Sequence, residues 1–153
     1  MNPAHIFRAD LFAGQTALIT GSARGIGAET ARAFANTGAK LVLHDFDEKG
    51  LAAIAEELQD GGVDLRTFTG DLTSAEEART LIPRAVDSIG DIDILVNNAG
   101  RSWAVATDQI DEHTTLELVQ LNQLAVLWLS RAFVVHRRSR GGQGSIIQIS
   151  STA

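Results

Sequence analysis

The chain has 153 residues, 44% of them hydrophobic and 21% charged, a balance that suits a soluble globular domain and argues against disorder or collagen-like structure. It contains no cysteine, which removes disulfides, thiol nucleophiles and cysteine-ligated zinc and fits a reducing, cytoplasmic setting. The formal charge of -6 offers no basic face to a polyanion, so no nucleic-acid partner is expected.

Met1 to Gly14 carries Arg8 and Asp10 among scattered apolar residues and holds no apolar run long enough for a signal sequence or a membrane span. It reads as a leader, and no membrane partner is expected. No repeat, low-complexity stretch or proline-rich linker divides the sequence, whose prolines are Pro3 and Pro83, so residues 1-153 read as a single domain. Thr16 to Thr20 (TALIT) is short, apolar and runs straight into glycines, as a buried strand entering a tight turn does. Ile26 to Asn36 follows as a helix whose small residues Ala28, Ala31 and Ala35 permit close packing on a sheet, and Gly38 is its stop.

Leu41 to Leu43 gives a second strand ending at His44 and Asp45. Leu51, Ile54, Ala55 and Leu58 then fall at helical spacing, with Gly61 and Gly62 as terminators. A third strand covers Leu65 to Thr69, followed by Thr73 or Ser74 as N-cap with Glu76 or Glu77 three residues on, the signature of a capping box. The helix it opens places Ala78, Leu81, Ile82, Ala85, Val86 and Ile89 on one face. Ile92 to Val96 is a fourth strand, flanked in solvent by Asp91 and Asp93, and Ile146 to Ile149 is a fifth. Strands alternating with helices predict parallel β-α-β units in an α/β, doubly wound sheet of Rossmann type, with strand order 3-2-1-4-5.

Leu116 to Val135 reads as one or two helices with little polar surface on any side. A helix covering one sheet face needs a polar stripe, so a partner subunit or further chain is expected to bury this one, and a homo-oligomer follows. The basic residues Arg137, Arg138 and Arg140 come after it and are expected to complement the dipole at its C-terminus. His5, His44, His113 and His136 are dispersed without metal-ligand spacing, so no metal site is expected.

The chemistry begins at Thr20-Gly21-Ser22-Ala23-Arg24-Gly25-Ile26-Gly27, between a predicted strand and a predicted helix. Glycines there allow unusual backbone angles and close approach of a phosphate, and the helix N-terminus adds unpaired amides and a partial positive charge. Gly21, Ser22, Arg24, Gly25, Ile26 and Gly27 are therefore candidate dinucleotide-binding residues. A nucleoside-triphosphate loop would need glycine and lysine where Ile26 and Gly27 stand. Asp45 closes the second strand near the offset of roughly 20 residues at which an acid grips the adenosine ribose. Its charge would repel a 2′-phosphate, which favours NAD over NADP, while Arg24 pulls mildly the other way. Phe46, next in the chain, joins Asp45 as a cofactor-binding candidate.

TGSARGIG, the acid of LVLHD, Gly70-Asp71-Leu72, Asn97-Asn98-Ala99-Gly100, Asn122 and GSIIQISS, in this order, resemble the short-chain dehydrogenase/reductase family. The resemblance implies that Asp71 bonds the adenine amino group, that Leu72 offers its backbone, and that Asn98, Ala99 and Gly100 flank the cofactor while Asn97 stabilises the sheet. It implies catalytic roles for Asn122, in a water-linked proton path, and for Ser151, which positions the substrate oxygen. The implied reaction is hydride transfer between a nicotinamide cofactor and a small alcohol or carbonyl compound. Arg101, Ser102 and Trp103 either line the near wall of the substrate pocket or form an exposed loop.

The family pattern also requires a Tyr-x-x-x-Lys motif after the serine, whereas these 153 residues contain no tyrosine and their lysines, Lys40 and Lys49, belong to the cofactor-binding half. The expectation is a sequence cut short before that motif, with the later strands missing, the fifth strand an open edge, and no activity of the chain alone. A catalytically silent nucleotide-binding or interaction module, and one half of a split enzyme, are the alternatives.

Overall fold

The computed structural model describes residues 8-102 and 104-150. Five parallel strands, β1 (Thr16–Thr20), β2 (Lys40–Asp45), β3 (Leu65–Thr69), β4 (Ile94–Asn97) and β5 (Ser145–Gln148), form one sheet. Their order is β3-β2-β1-β4-β5, as the sequence predicts. Helices α1 (Gly25–Ala35), α2 (Glu48–Asp60) and α3 (Ala75–Ile89) make the crossovers between β1 and β4, and α4 (Glu112–Val119) and α5 (Val126–Ser139) lie between β4 and β5.

Successive strand residues face opposite sides of a sheet, and this alternation divides the interior into two cores. Ala17, Ile19, Leu41, Leu43, Ile94 and Val96 meet Ala28, Ala31 and Phe34 of α1 and Leu51, Ile54 and Leu58 of α2. Leu18, Val42 and Leu95 meet Ala78, Leu81, Ile82 and Ala85 of α3 and Leu129 and Phe133 of α5.

The apolar stretch expected as one or two helices is a single helix from Glu112 to Ser139, in which α4 and α5 are joined by a π-helical stretch at Gln120–Ala125. Its length and apolar character would allow it to cross a membrane, but core helices meet the same criterion, and Ala125, Leu129 and Phe133 sit in the second core. Its other faces are bare: Leu116, Leu127 and Val135 are more than half exposed.

Three local expectations need correction. The capping box at the start of α3 is half formed: Ser74 Oγ accepts from Glu77 N at 3.5 Å, but the Glu77 carboxylate turns away to His44 and Arg84. Asp93 is not a solvated flank of β4. Its Oδ2 accepts from Thr16 N at 3.0 Å and its Oδ1 pairs with Arg137 Nη1 at 3.0 Å. Arg137, expected to serve the helix dipole, is instead tucked under the sheet, where it also donates to Ile92 O at 3.2 Å, and Arg140 pairs with Asp91.

Candidate functional site

β1 lies between β2 and β4, so the chain crosses to one side after β1 and to the other after β3. In an open α/β sheet the loops part at such a reversal and leave a crevice beyond the carboxyl ends of the strands. A cleft of about 980 Å³ opens there, at the upper end of the size range for small-molecule sites. Gly21, Arg24 and Ile26 line it from the β1 turn, Asp45 and Phe46 from β2, Asp71 and Leu72 from β3, Asn98, Ala99 and Gly100 from β4, and Asn122 from the π-helical stretch. Ser22, Gly25 and Gly27 are not among its lining residues, and Ser151 and Trp103 lie outside the described residues.

Ser22 and Gly27 act from behind the wall. Ser22 is fully buried, and its hydroxyl donates to His44 O at 3.2 Å, stitching the turn to β2. A Cβ on Gly27 would stand 2.0 Å from Gly21 O and 2.6 Å from Asn98 Nδ2, so glycine is required for contact between helix and turn rather than for a special backbone angle. Asn98 closes the same corner, donating through Nδ2 to Thr20 O at 3.0 Å and Gly21 O at 2.9 Å. Thr20 Oγ1 accepts from both Asn98 N and Ala99 N at 3.1 Å. The ends of β1 and β4 are thus clipped together, which fixes the height of the glycine turn.

The first turn of α1 opens on this turn with its amides uncommitted to side chains: Arg24, the N-cap, provides no capping bond, and the turn holds no acidic residue. Such an end favours an anion. Asp45 is buried at the end of β2, where Oδ2 accepts from Ala23 N at 2.9 Å and Oδ1 from Asp47 N at 3.0 Å. Each oxygen keeps a further lone pair for a ligand hydroxyl. Phe46, beside it, is 69% exposed. On the β3 side Leu72 is buried in the second core, leaving its backbone to the cleft, while the exposed Asp71 accepts from Thr73 N at 2.9 Å through Oδ1.

Asn122 uses its whole amide on the loop after Gly100, accepting from Arg101 N at 3.1 Å and donating to Arg101 O at 2.8 Å. π-Helical stretches concentrate at functional sites because the wider turn re-aims a side chain, and here it aims Asn122 at the NNAG turn. Arg101 and Ser102 line the cleft, and the Arg101 guanidinium pairs with Glu117. Sequence reasoning passed over His44, Glu117, Leu121, Val126, Gln148 and Ile149, which also line the cleft. His44 had a signal, as a polar side chain within an apolar strand; the rest read only as helix or strand surface. Among the described residues no three His, Asp or Glu side chains are grouped to hold a metal ion.

The family model of the short chain dehydrogenases matches residues 15–153. The chain belongs to that family. L-fucose dehydrogenase of Oryctolagus cuniculus is 41% identical over 145 residues, covering 92% of this chain and 48% of the relative. A metagenomic short-chain oxidoreductase crystallised with NADP superposes with a TM-score of 0.86 at 32% identity, over 93% of this chain and 64% of that one. A short-chain dehydrogenase/reductase of Burkholderia phymatum in complex with NAD gives a TM-score of 0.87 at 26% identity, over 92% of this chain and 50% of the other. The chain spans about half the length of the curated relatives it matches.

Proposed function

We propose that this chain supplies the cofactor-binding part of an oxidoreductase that moves a hydride between a nicotinamide dinucleotide and the alcohol or carbonyl carbon of a small molecule, with NAD preferred over NADP. The observation that carries the reading is the Asp45 carboxylate, held by two backbone amides beside the uncapped N-terminus of α1. The α1 amides and the Gly21 turn suit a pyrophosphate, and the turn can sit this close to the helix because Gly27 has no Cβ to meet Gly21 O. Asp45 suits a pair of ribose hydroxyls and disfavours a 2′-phosphate, for which the β1 turn brings one cation, Arg24, to the cleft. Structural neighbours carry either NADP or NAD, so the preference rests on Asp45 alone.

When bound, the dinucleotide supplies the hydride donor or acceptor. Asn122 would fix the loop after Gly100 beside it, and Ser151 would hold the substrate oxygen. These 153 residues contain no tyrosine, the family's proton donor, so the chain alone is proposed to bind cofactor without turnover. The cysteine-free composition fits a cytoplasmic protein, and the bare face of α5 fits assembly with a second copy.

Asp45→Asn keeps the size and one acceptor of the side chain while removing its charge. Titration of the purified chain with NADH and NADPH should show the preference for NADH falling by about tenfold or more, since a charge-assisted hydrogen bond is worth roughly 1.5 to 3 kcal/mol. An unchanged ratio would remove Asp45 from the ribose site. Rapid NAD reduction by the wild-type chain with an alcohol would refute the proposed inactivity.

A further inference from the structure

A glutamate three residues past an N-cap ordinarily folds back over its own helix end, and Glu77 does not. Its Oε1 stands 3.3 Å from Nε2 of His44, a side chain with 1% exposure on β2, and its Oε2 accepts from Arg84 Nη1 at 2.7 Å. Arg84 in turn lies over the Phe68 ring of β3, 5.1 Å from its centroid. With a carboxylate facing Nε2, that nitrogen carries the imidazole proton, and Nδ1 is left buried without a partner among the described residues. A carboxylate gripped from two elements is fixed in place.

What it is fixed against is the backbone of Gly70. A Cβ there would lie 2.5 Å from both Cδ and Oε1 of Glu77, so the carboxylate rests directly on the Gly70 Cα. Gly70 is also tied to the end of β2 through its amide, which donates to Asp45 O at 3.1 Å. The next two residues, Asp71 and Leu72, line the cleft between the ends of β2 and β3. We propose that the His44–Glu77–Arg84 cluster is a positioning device: it sets the height of the Gly70–Leu72 segment so that Asp71 and the Leu72 backbone can read the polar edge of a purine base. Glu77 and Arg84 are not among the residues that line the cleft, so they act through the Gly70–Leu72 segment, and the inference rests on the reading of this cleft as a dinucleotide site.

The test compares NAD with nicotinamide hypoxanthine dinucleotide, which carries an oxygen where adenine has its amino group, by calorimetric titration of the whole chain. The wild-type chain should bind NAD the more tightly. Glu77→Gln removes the charge that holds Arg84 and His44 and should weaken NAD binding by about tenfold while leaving the hypoxanthine analogue little changed, so that the two affinities converge. Gly70→Ala attacks the same contact from the other side and should converge them too, and it carries the test if Glu77→Gln fails to fold. In a Glu77→Ala background the added methyl meets no carboxylate, so Gly70→Ala should then have little further effect on the ratio. A purely structural role would lower the melting temperature and leave the ratio at its wild-type value, and that result, with both variants folded, overturns the proposal. A wild-type chain that binds the two dinucleotides equally also overturns it. One that binds neither overturns the dinucleotide reading beneath it.

Discussion

β1 and β5 are both short and parallel with aliphatic residues at their centres, yet every residue of β1 is buried and every residue of β5 is exposed. β1 has a strand on each side and helices over both faces. Among the described residues β5 pairs only with β4, and Ile146, Ile147 and Ile149 remain 37% to 42% exposed. The same contrast runs along one helix: Leu129 and Phe133 of α5 are 1% and 2% exposed, while Leu127 and Val135 are 54% and 56% exposed. Residue type does not separate the two sets; position in the sheet does. Strands β1, β2 and β4 are covered on both faces, with α5 completing the second core, and the cleft lies between their loops and the segment from α4 to β5. The region around β5 and α5 presents apolar surface and an unpaired strand edge, which natural proteins cover or blunt.

The sharpest test of this division is Phe133→Ala. Among the described residues Phe133 is the largest fully buried side chain, and it anchors α5 to α3 in the second core, so its loss should cost about 3 to 5 kcal/mol in urea-induced unfolding. A cost below 1 kcal/mol would mean that α5 is not part of the folded unit. Asn98→Ala comes next, because it removes two bonds that clip β1 to β4. We expect a loss of about 2 kcal/mol, less than for Phe133 because the corner borders the cleft and water can reach the freed carbonyls. NAD affinity should fall with it, and a variant that loses stability but keeps wild-type affinity would separate the clip from the glycine turn.

Much of this architecture is legible in the sequence for a physical reason. Periodicity and glycine punctuation report local geometry, and strand order follows from handedness rules once the elements alternate. Asp45 could be placed at the end of β2 because the strand and the glycine turn together set the offset. What could not be read are pairings across the sheet. Nothing near Asp93 announces Arg137, which stands far along the chain on α5. Nothing near Glu77 says that its carboxylate will leave its own helix for His44 on β2. Ser22 illustrates a subtler limit: its place in the turn was evident, but whether its hydroxyl faced ligand or backbone depended on where the end of β2 would lie.

Acid should affect both regions through their buried imidazoles. His44 lies beside the cleft and His136 at the foot of α5, and burial pushes the pKa of each below the ordinary histidine value of 6.5, against the pull of Glu77 in one case and Asp91 in the other. An unfolded chain therefore binds more protons than the folded one between the depressed values and 6.5. Stability is full above that pH and is lost as pH falls below it. The melting temperature should drop from pH 7.5 to pH 5.5, and His44→Asn and His136→Asn should each flatten the slope. An unchanged or higher melting temperature at pH 5.5 would show that the ion pairs outweigh burial.

The smallest effect is expected at Val135, two residues from Phe133 and on the opposite side of the contrast. With more than half its surface in water, Val135→Ser should shift unfolding by less than about 0.5 kcal/mol. A cost near that of Phe133→Ala would show that the exposed face of α5 is interior after all. Sedimentation of the same variant addresses what covers that face. If two copies meet through α5, a polar side chain at Val135 should shift the wild-type oligomer toward monomer while leaving the unfolding of the monomer unchanged. Equal sedimentation of oligomeric wild type and variant would place the contact elsewhere, with the edge of β5 as the other apolar surface able to make it.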